Sequence, residues 1–263
     1  MARSLEERTK VKHISASQIA SYITCSLRWQ LERGGRTPPT DPMLVGSAVH
    51  EIMEHLHKPG IVRSRALFER AIALVVSDPR YKGVIAKVKK CAEGFWKTYN
   101  TDDLHKPTHI EHRVAVPLTE DVELVGVFDD LTLTEDKLML IGEYKISMQE
   151  PDEEAKVWWT AQPLVYQYLA TKAFPDYTLM HSQHTLIWPG HATRILRQAY
   201  NALDIEDQLI SLALRMGNEL AIPAYWGGNG FICKRCPFVG RCRRKLRQGT
   251  DEVIGEVPDW LFV

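Results

Sequence analysis

The stretch Gly126–Ser147, GVFDDLTLTEDKLMLIGEYKIS, sets two apolar runs of strand length next to each other and plants acidic residues inside them. Leu124–Leu133 and Leu138–Ile146 are the runs, and Thr134, Glu135, Asp136 and Lys137 between them carry turn chemistry, so the stretch reads as an antiparallel hairpin. A carboxylate buried in such a sheet is costly unless a cation neutralises it. Side chains alternate faces along a strand, which puts Glu143 and Lys145 together. With an odd-numbered loop, Asp129 falls directly across from Glu143 with Cβ atoms about 4.5–5.5 Å apart, close enough to share a divalent cation. An even-numbered loop separates them unless a bulge restores the parity.

Upstream, His13–Arg33 has helical spacing, Ser15 or Ser17 as N-cap and a stop at Gly34-Gly35, which places Cys25 on an early helix. After the proline- and glycine-rich GGRTPPTDPM, the segment GSAVHEIMEHLHK spaces Ala48, Ile52, Met53 and Leu56 for an amphipathic helix, with His50 and Glu54 sharing one side. Residues 64–99 read as two more helices broken at Asp78-Pro79. From Ile110 the period changes toward two, in IEHRVAVPL, the hairpin, HTLIWPG and ATRILRQAY. Between those strands EEAKVWWTAQPLVYQYLATKAF is helical by composition, and a start near Thr160 puts Pro163 in the first turn, where it is tolerated. Gln162 and Tyr166 then share a face. A last helix, LDIEDQLISLALRMGNEL, precedes the loop AIPAYWGGNGF and a cysteine segment. Helices followed by a mixed sheet with an interposed helix suggest α/β (α+β) on one core.

At 263 residues the chain buries a full core without disulfides. Its formal net charge of zero supplies no overall field toward nucleic acid, so any anion binding must be local. MARSLEERTK is charged from its third residue, and no run is long and uncharged enough to span a bilayer, so a cytoplasmic location and no membrane partner are the expectation. Five cysteines in a reducing setting argue for thiol chemistry or metal binding. Cys233, Cys236 and Cys242 form C-x2-C-x5-C, and Cys25 upstream makes a fourth thiolate, the number that zinc and iron–sulfur clusters both take. Zinc sites more often pair two C-x2-C knuckles. A lone upstream cysteine with a downstream triplet and Pro237 after one ligand leans toward a cluster, with oxidation-sensitive free thiols as a third reading. Cys91, mid-helix near Ala92 and Phe95, reads as a core thiol. Lys234, Arg235, Arg241, Arg243, Arg244, Lys245 and Arg247 have no acidic residue among them. They form either a solvated face countering the thiolates or a phosphate contact, whose affinity falls steeply with salt.

A helical histidine, a turn aspartate or an isolated E-x-K is common by chance, but here GSAVH (46–50), GVFD (126–129), EYK (143–145) and QPLVY (162–166) follow in order. That order resembles the motifs of PD-(D/E)XK nucleases of the RecB type. Cys25 with CKRCPFVGRC resembles the four-cysteine arrangement of that superfamily's CRISPR-associated RecB-like exonucleases and AddB-type nucleases. The resemblance spans roughly residues 15–245. It implies a restriction-endonuclease-like mixed central sheet flanked by helices, with residues 1–263 as a single nuclease domain. A helical insertion at 47–100 and an iron–sulfur clasp of 15–33 plus 221–248 would complete it. It further implies a [4Fe-4S] cluster on Cys25, Cys233, Cys236 and Cys242, metal ligands at His50, Asp129 and Glu143, catalytic Lys145 acting with Asp129 and Glu143, and DNA-facing Gln162 and Tyr166. Glu111 matches an acidic position less firmly. Glu143 stands where aspartate is usual, an allowed variant, and Pro163 interrupts the glutamine motif.

A carboxylate pair and an imidazole hold Mg2+ or Mn2+ with positions open for water and phosphate, the nitrogen ligand favouring manganese. Lys145 beside such a cation is suited to orient or deprotonate the attacking water. The expectation is a metal-dependent DNA nuclease acting as an exonuclease on DNA that is single-stranded or has free ends, with Trp158, Trp159 and Tyr166 as candidates to stack bases. The rival is a DNA-end-binding or assembly subunit of a larger complex, with protein partners and weak or no cleavage. A cluster tying residue 25 to residues 233–242 would be structural, stabilising by on the order of several kcal/mol in the loop-entropy account.

Overall fold

A computed structural model describes residues 13–33, 39–58, 61–99, 107–152, 161–199 and 202–217, with Cys233, Cys236, Phe238 and Cys242. The basic residues of 234–247, Trp158 and Trp159 lie outside the described residues. Strand β1 (His13–Ser15) ends in a capping box: the Ser15 hydroxyl accepts the Gln18 N–H at 3.2 Å, and the Gln18 side chain accepts the Ser15 N–H at 2.9 Å. Helix α1 (Ala16–Thr24) follows. The single helix expected through Arg33 is interrupted at Cys25, whose φ of −165° and ψ of 102° are extended, and α2 (Ser26–Arg33) restarts beyond it. Two local features favour the break: Ile23 and Thr24 are β-branched, and the Thr24 hydroxyl bonds back to the Ala20 carbonyl at 2.7 Å.

Helix α3 (Asp41–His57) starts earlier than the sequence suggests, because Thr40 supplies an extended N-cap and Pro42 sits in the first turn. Helix α4 (Arg65–Val76) is capped by the Ser64 hydroxyl, a 3-10 turn occupies Pro79–Tyr81 at the expected break, and α5 (Ile85–Tyr99) follows. Strands β2 (His109–Thr119), β3 (Val122–Leu133) and β4 (Leu138–Ile146) lead to α6 (Ala161–Ala173), then β5 (Thr178–Trp188), β6 (His191–Gln198) and α7 (Glu206–Gly217). Pro163 is the third residue of α6, where no intrahelical donor is missed. Strand β5 begins well before the expected HTLIWPG, because Ser182, Gln183, His184 and Thr185 are buried in it despite their polarity.

The chain divides into two compact units, residues 1–38, 117–124 and 205–263 in one and 39–116 and 125–204 in the other. In the first, Ile19, Leu27, Trp29 and Leu31 are buried, and Tyr22 meets Trp29 edge-on at 5.2 Å. In the second, β2 pairs β3, β3 pairs β4 antiparallel, β4 pairs β5 parallel and β5 pairs β6 antiparallel, which is a mixed sheet flanked by helices. Parallel neighbours need a crossover, and α6 is the one between β4 and β5. On one side of β4, Tyr144 joins the core shared by α3, α4 and α5, built on Val49, Ile52, Phe68, Val88 and Phe95. On the other side, Lys145 reaches Gln162 of α6.

Candidate metal centre

The β3–β4 ladder pairs Leu133 with Met139 through to Asp130 with Gly142, so the turn between the first pair holds the five residues 134–138, the odd count that sets Asp129 toward Glu143. One step past that ladder, Asp129 Oδ2 accepts the Tyr144 backbone N–H at 2.6 Å, and Oδ1 lies 3.4 Å from Nδ1 of His50 on α3. Glu111 of β2 brings Oε1 to 4.0 Å from the same nitrogen. One ligand atom each from His50, Glu111 and Asp129 lie within 4.8 Å of one another, the only such group of His, Cys, Asp or Glu among the described residues. A cavity of about 10 Å3 lies against them, lined also by Glu54 and Tyr144, roughly the room one water or ion needs.

Glu111 has a positive φ of 46°, a conformation costly for a residue with a Cβ and unusual inside a strand. Glu143 is 4 % exposed; its Oε1 accepts Lys145 Nζ, and its Oε2 is buried with no hydrogen-bond partner among the described residues. Lys145 Nζ also donates to Gln162 Oε1 at 2.7 Å, and Gln162 Nε2 donates to the Tyr166 hydroxyl at 3.1 Å. The structure thus brings His50 and Asp129 together with Glu111, while Glu143 falls outside that 4.8 Å group and is joined instead to Lys145 and, through it, to Gln162. Tyr166 is 8 % exposed and packed edge-on against Phe128, so its hydroxyl, rather than its ring face, reaches the site.

Burial pulls the His50 imidazole down, but Asp129, Glu143 and Glu111 outweigh it and raise it to about 9. Burial and the charge of Asp129 push Glu143 well above the ordinary carboxylate range, against the opposing pull of Lys145. Glu111 is raised by burial and by Asp129, and Tyr166 by burial and Glu143. Without a cation the acidic groups therefore resist ionising together, the electrostatic signature of a site shaped for added positive charge.

Two glycines make this geometry possible. A Cβ on Gly126 would sit 2.7 Å from Leu169 and 3.1 Å from Tyr166, so α6 approaches β3 only because that Cβ is missing. A Cβ on Gly142 would lie 2.0 Å from the Asp130 carboxylate, which is fully buried and accepts the Tyr144 hydroxyl at 2.6 Å. Asp130 and Tyr144 carried no signal separating them from ordinary strand residues. Nor did the buried chain in which Gln167 Nε2 donates to Ser182 Oγ at 3.0 Å, and Ser182 Oγ meets His184 Nε2 at 3.0 Å. His184 stands at the Glu143 position of the neighbouring strand, and burial, Lys145 and Arg197 hold its imidazole down to about 4. A polar run inside a strand enclosed by others was the one available clue.

The cysteines of the first unit are free of disulfides. Cys25, Cys236 and Cys242 border a small apolar nucleus of Leu27, Leu31 and Phe238, and Cys25 Sγ accepts the Arg28 N–H at 3.4 Å. Among the described residues no three of their sulfurs lie within 4.8 Å of one another. Burial alone pushes the Cys91 thiol up to about 11, as suits a core thiol. Among the described residues, no helix is long and apolar enough to cross a membrane.

No curated protein sequence matches this chain. Among solved structures it is similar to one described as "Crystal structure of SSO0001", with 12 % identity and a TM-score of 0.45 over 93 % of this chain and 88 % of that one. A scan of protein families matches the PD-(D/E)XK nuclease superfamily over residues 13–243, a span that holds His50, Glu111, Asp129, Glu143 and Lys145. The chain belongs to the PD-(D/E)XK nuclease superfamily.

Proposed function

We propose that this chain is a Mg2+- or Mn2+-dependent deoxyribonuclease that hydrolyses phosphodiester bonds, acting as an exonuclease on single-stranded DNA. The observation that carries this is the meeting of His50, Glu111 and Asp129 ligand atoms within 4.8 Å, next to a buried Glu143 whose Oε2 has no partner among the described residues. His50 Nδ1, Asp129 Oδ1 and Glu143 Oε2 are the atoms that would hold the cation, and Glu111 would add a fourth ligand. A divalent cation bound there supplies charge to neutralise the reacting phosphate and lowers the pKa of a bound water. Lys145, held between Glu143 and Gln162, would orient the attacking water or take its proton. Tyr166 fixes the Gln162 amide so that its oxygen faces Lys145, which gives the Gln162–Tyr166 pair a positioning part alongside contact with DNA.

Cys25, Cys233, Cys236 and Cys242 would hold a [4Fe-4S] cluster. Tetrahedral zinc draws its sulfurs to about 3.8 Å from one another, whereas a four-iron cluster gives each thiolate its own iron. The cluster reading rests on the C-x2-C-x5-C spacing with Cys25 upstream, and on Cys25, Cys236 and Cys242 bordering one apolar nucleus. Iron and acid-labile sulfide at about four each per chain would bear this out, and stoichiometric zinc would overturn it. For the reaction, end-labelled single- and double-stranded DNA is incubated with Mn2+, Mg2+ or chelator. Progressive shortening of the single strand with metal alone is expected; DNA that is bound but intact in every metal would point instead to an end-binding subunit.

A further inference from the structure

Strand β5 spends four consecutive buried positions on polar residues, Ser182, Gln183, His184 and Thr185, the first, third and fourth at 1 %, 1 % and 2 % exposure. A strand enclosed between neighbours is ordinarily apolar, since each buried polar group costs free energy unless it is hydrogen-bonded. Here two of them are bonded in series: Gln167 of α6 to Ser182, and Ser182 to His184. The parallel register sets His184 beside Glu143 and Leu186 beside Lys145. Registered side chains share a face, so His184 and Glu143 leave neighbouring strands side by side, on the face from which Lys145 reaches Gln162 and Ser182 reaches Gln167 of α6.

We infer that the Gln167–Ser182–His184 chain is a positioning device for Glu143, with His184 as a wall, held in place by the hydrogen-bond chain, that limits the rotamers open to the Glu143 side chain. This rests on the nuclease reading above. A hydrophobic wall would fill the same space but would lack the two hydrogen bonds that lock the ring to α6, the helix that also carries Gln162. His184, tied through Ser182 to Gln167, supplies both the bulk and the hydrogen bonds.

The test uses the full chain in metal-free form. Mn2+ affinity is read by electron paramagnetic resonance and cleavage by kcat and KM for single-stranded DNA, in the parent, Ser182→Ala, Ser182→Thr and His184→Phe. Groups that orient a metal ligand typically contribute about 10–100-fold in affinity or activity, so Ser182→Ala should weaken Mn2+ binding and lower kcat by about tenfold with the DNA KM unchanged. His184→Phe should do more, and Ser182→Thr, which keeps the hydroxyl, should restore parent behaviour. Parent-like Mn2+ affinity and kcat in folded Ser182→Ala and His184→Phe, whatever their melting temperatures, would reduce the chain to packing and overturn the inference. A parent that binds no Mn2+ overturns the metal-site reading and this one with it, whereas a binding parent with unaffected variants overturns this one alone.

Discussion

His50, Glu111, Asp129 and Glu143 come from four elements, α3, β2, β3 and β4, whereas Cys25, Cys236 and Cys242 border a nucleus of three buried side chains, Leu27, Leu31 and Phe238. The acidic residues lie beside a large apolar core, and their crowding is what a bound cation would relieve. Among the described residues the thiols border only that small nucleus, so ligation there would add stability to what its packing supplies. Removing a member of the first group should therefore cost chemistry, and removing a member of the second should cost the fold.

The largest effect expected is on turnover: Lys145→Ala should lower cleavage by about 10^2–10^4-fold, the range of a lost general base, while Mn2+ affinity and melting temperature stay at parent values. Unchanged turnover would sink the role of Lys145. Glu143→Gln should weaken Mn2+ binding at least about tenfold, and a titration matching the parent would break the acidic half of the comparison. Cys233→Ala tests the other half. Losing a crosslink of this span should lower Tm by roughly 5–15 °C, with turnover per folded molecule at low temperature little changed. A cluster-free protein that melts like the parent contradicts it.

Smaller effects sharpen the contrast. His50 is raised to about 9 from an ordinary 6.5, so in metal-free protein the stabilisation from its protonation is complete below about pH 6.5 and lost as pH rises through about 9. Melts in chelator should fall across that window, and melts with saturating Mn2+, where His50 is held neutral, should not follow them; a flat profile in chelator would count against the crowded site. Glu111→Gly relieves the positive φ, so Tm should rise by about 2–4 °C while Mn2+ affinity falls, opposite signs that no cysteine variant should show. Glu111→Gln should weaken Mn2+ binding without the rise.

The hairpin was legible because its chemistry is local. Leu138–Ile146 is a strand with those bounds, the turn count is odd, and Pro163 lies in a first turn as its missing N–H requires. The gathering of His50 with Asp129 was visible only through motif order, since no periodicity states which helix faces which strand. Three features left at most a faint trace in the sequence. The break at Cys25 is marked only by the β-branched pair Ile23-Thr24, which also occurs inside unbroken helices, and the strain at Glu111 is a property of one φ. The length of β5 was hidden because strand patterns look for apolar alternation, and here hydrogen bonds rather than apolar contacts make burial tolerable. Polar burial of this kind is what makes a strand look like a loop on paper.

The Asp130 carboxylate fills the volume that a side chain at 142 would need, and its oxygen is where the Tyr144 hydroxyl ends. These three positions are consequently one evolutionary character rather than three. A related chain with alanine at 142 should carry a shorter residue at 130, and with the acceptor gone it should carry phenylalanine at 144, because a buried phenol without a partner is penalised. Sequences should therefore fall into two families of triplets with few intermediates. Gly142→Ala alone should behave as an unstable intermediate that Asp130→Gly relieves in part and Asp130→Gly with Tyr144→Phe relieves more fully.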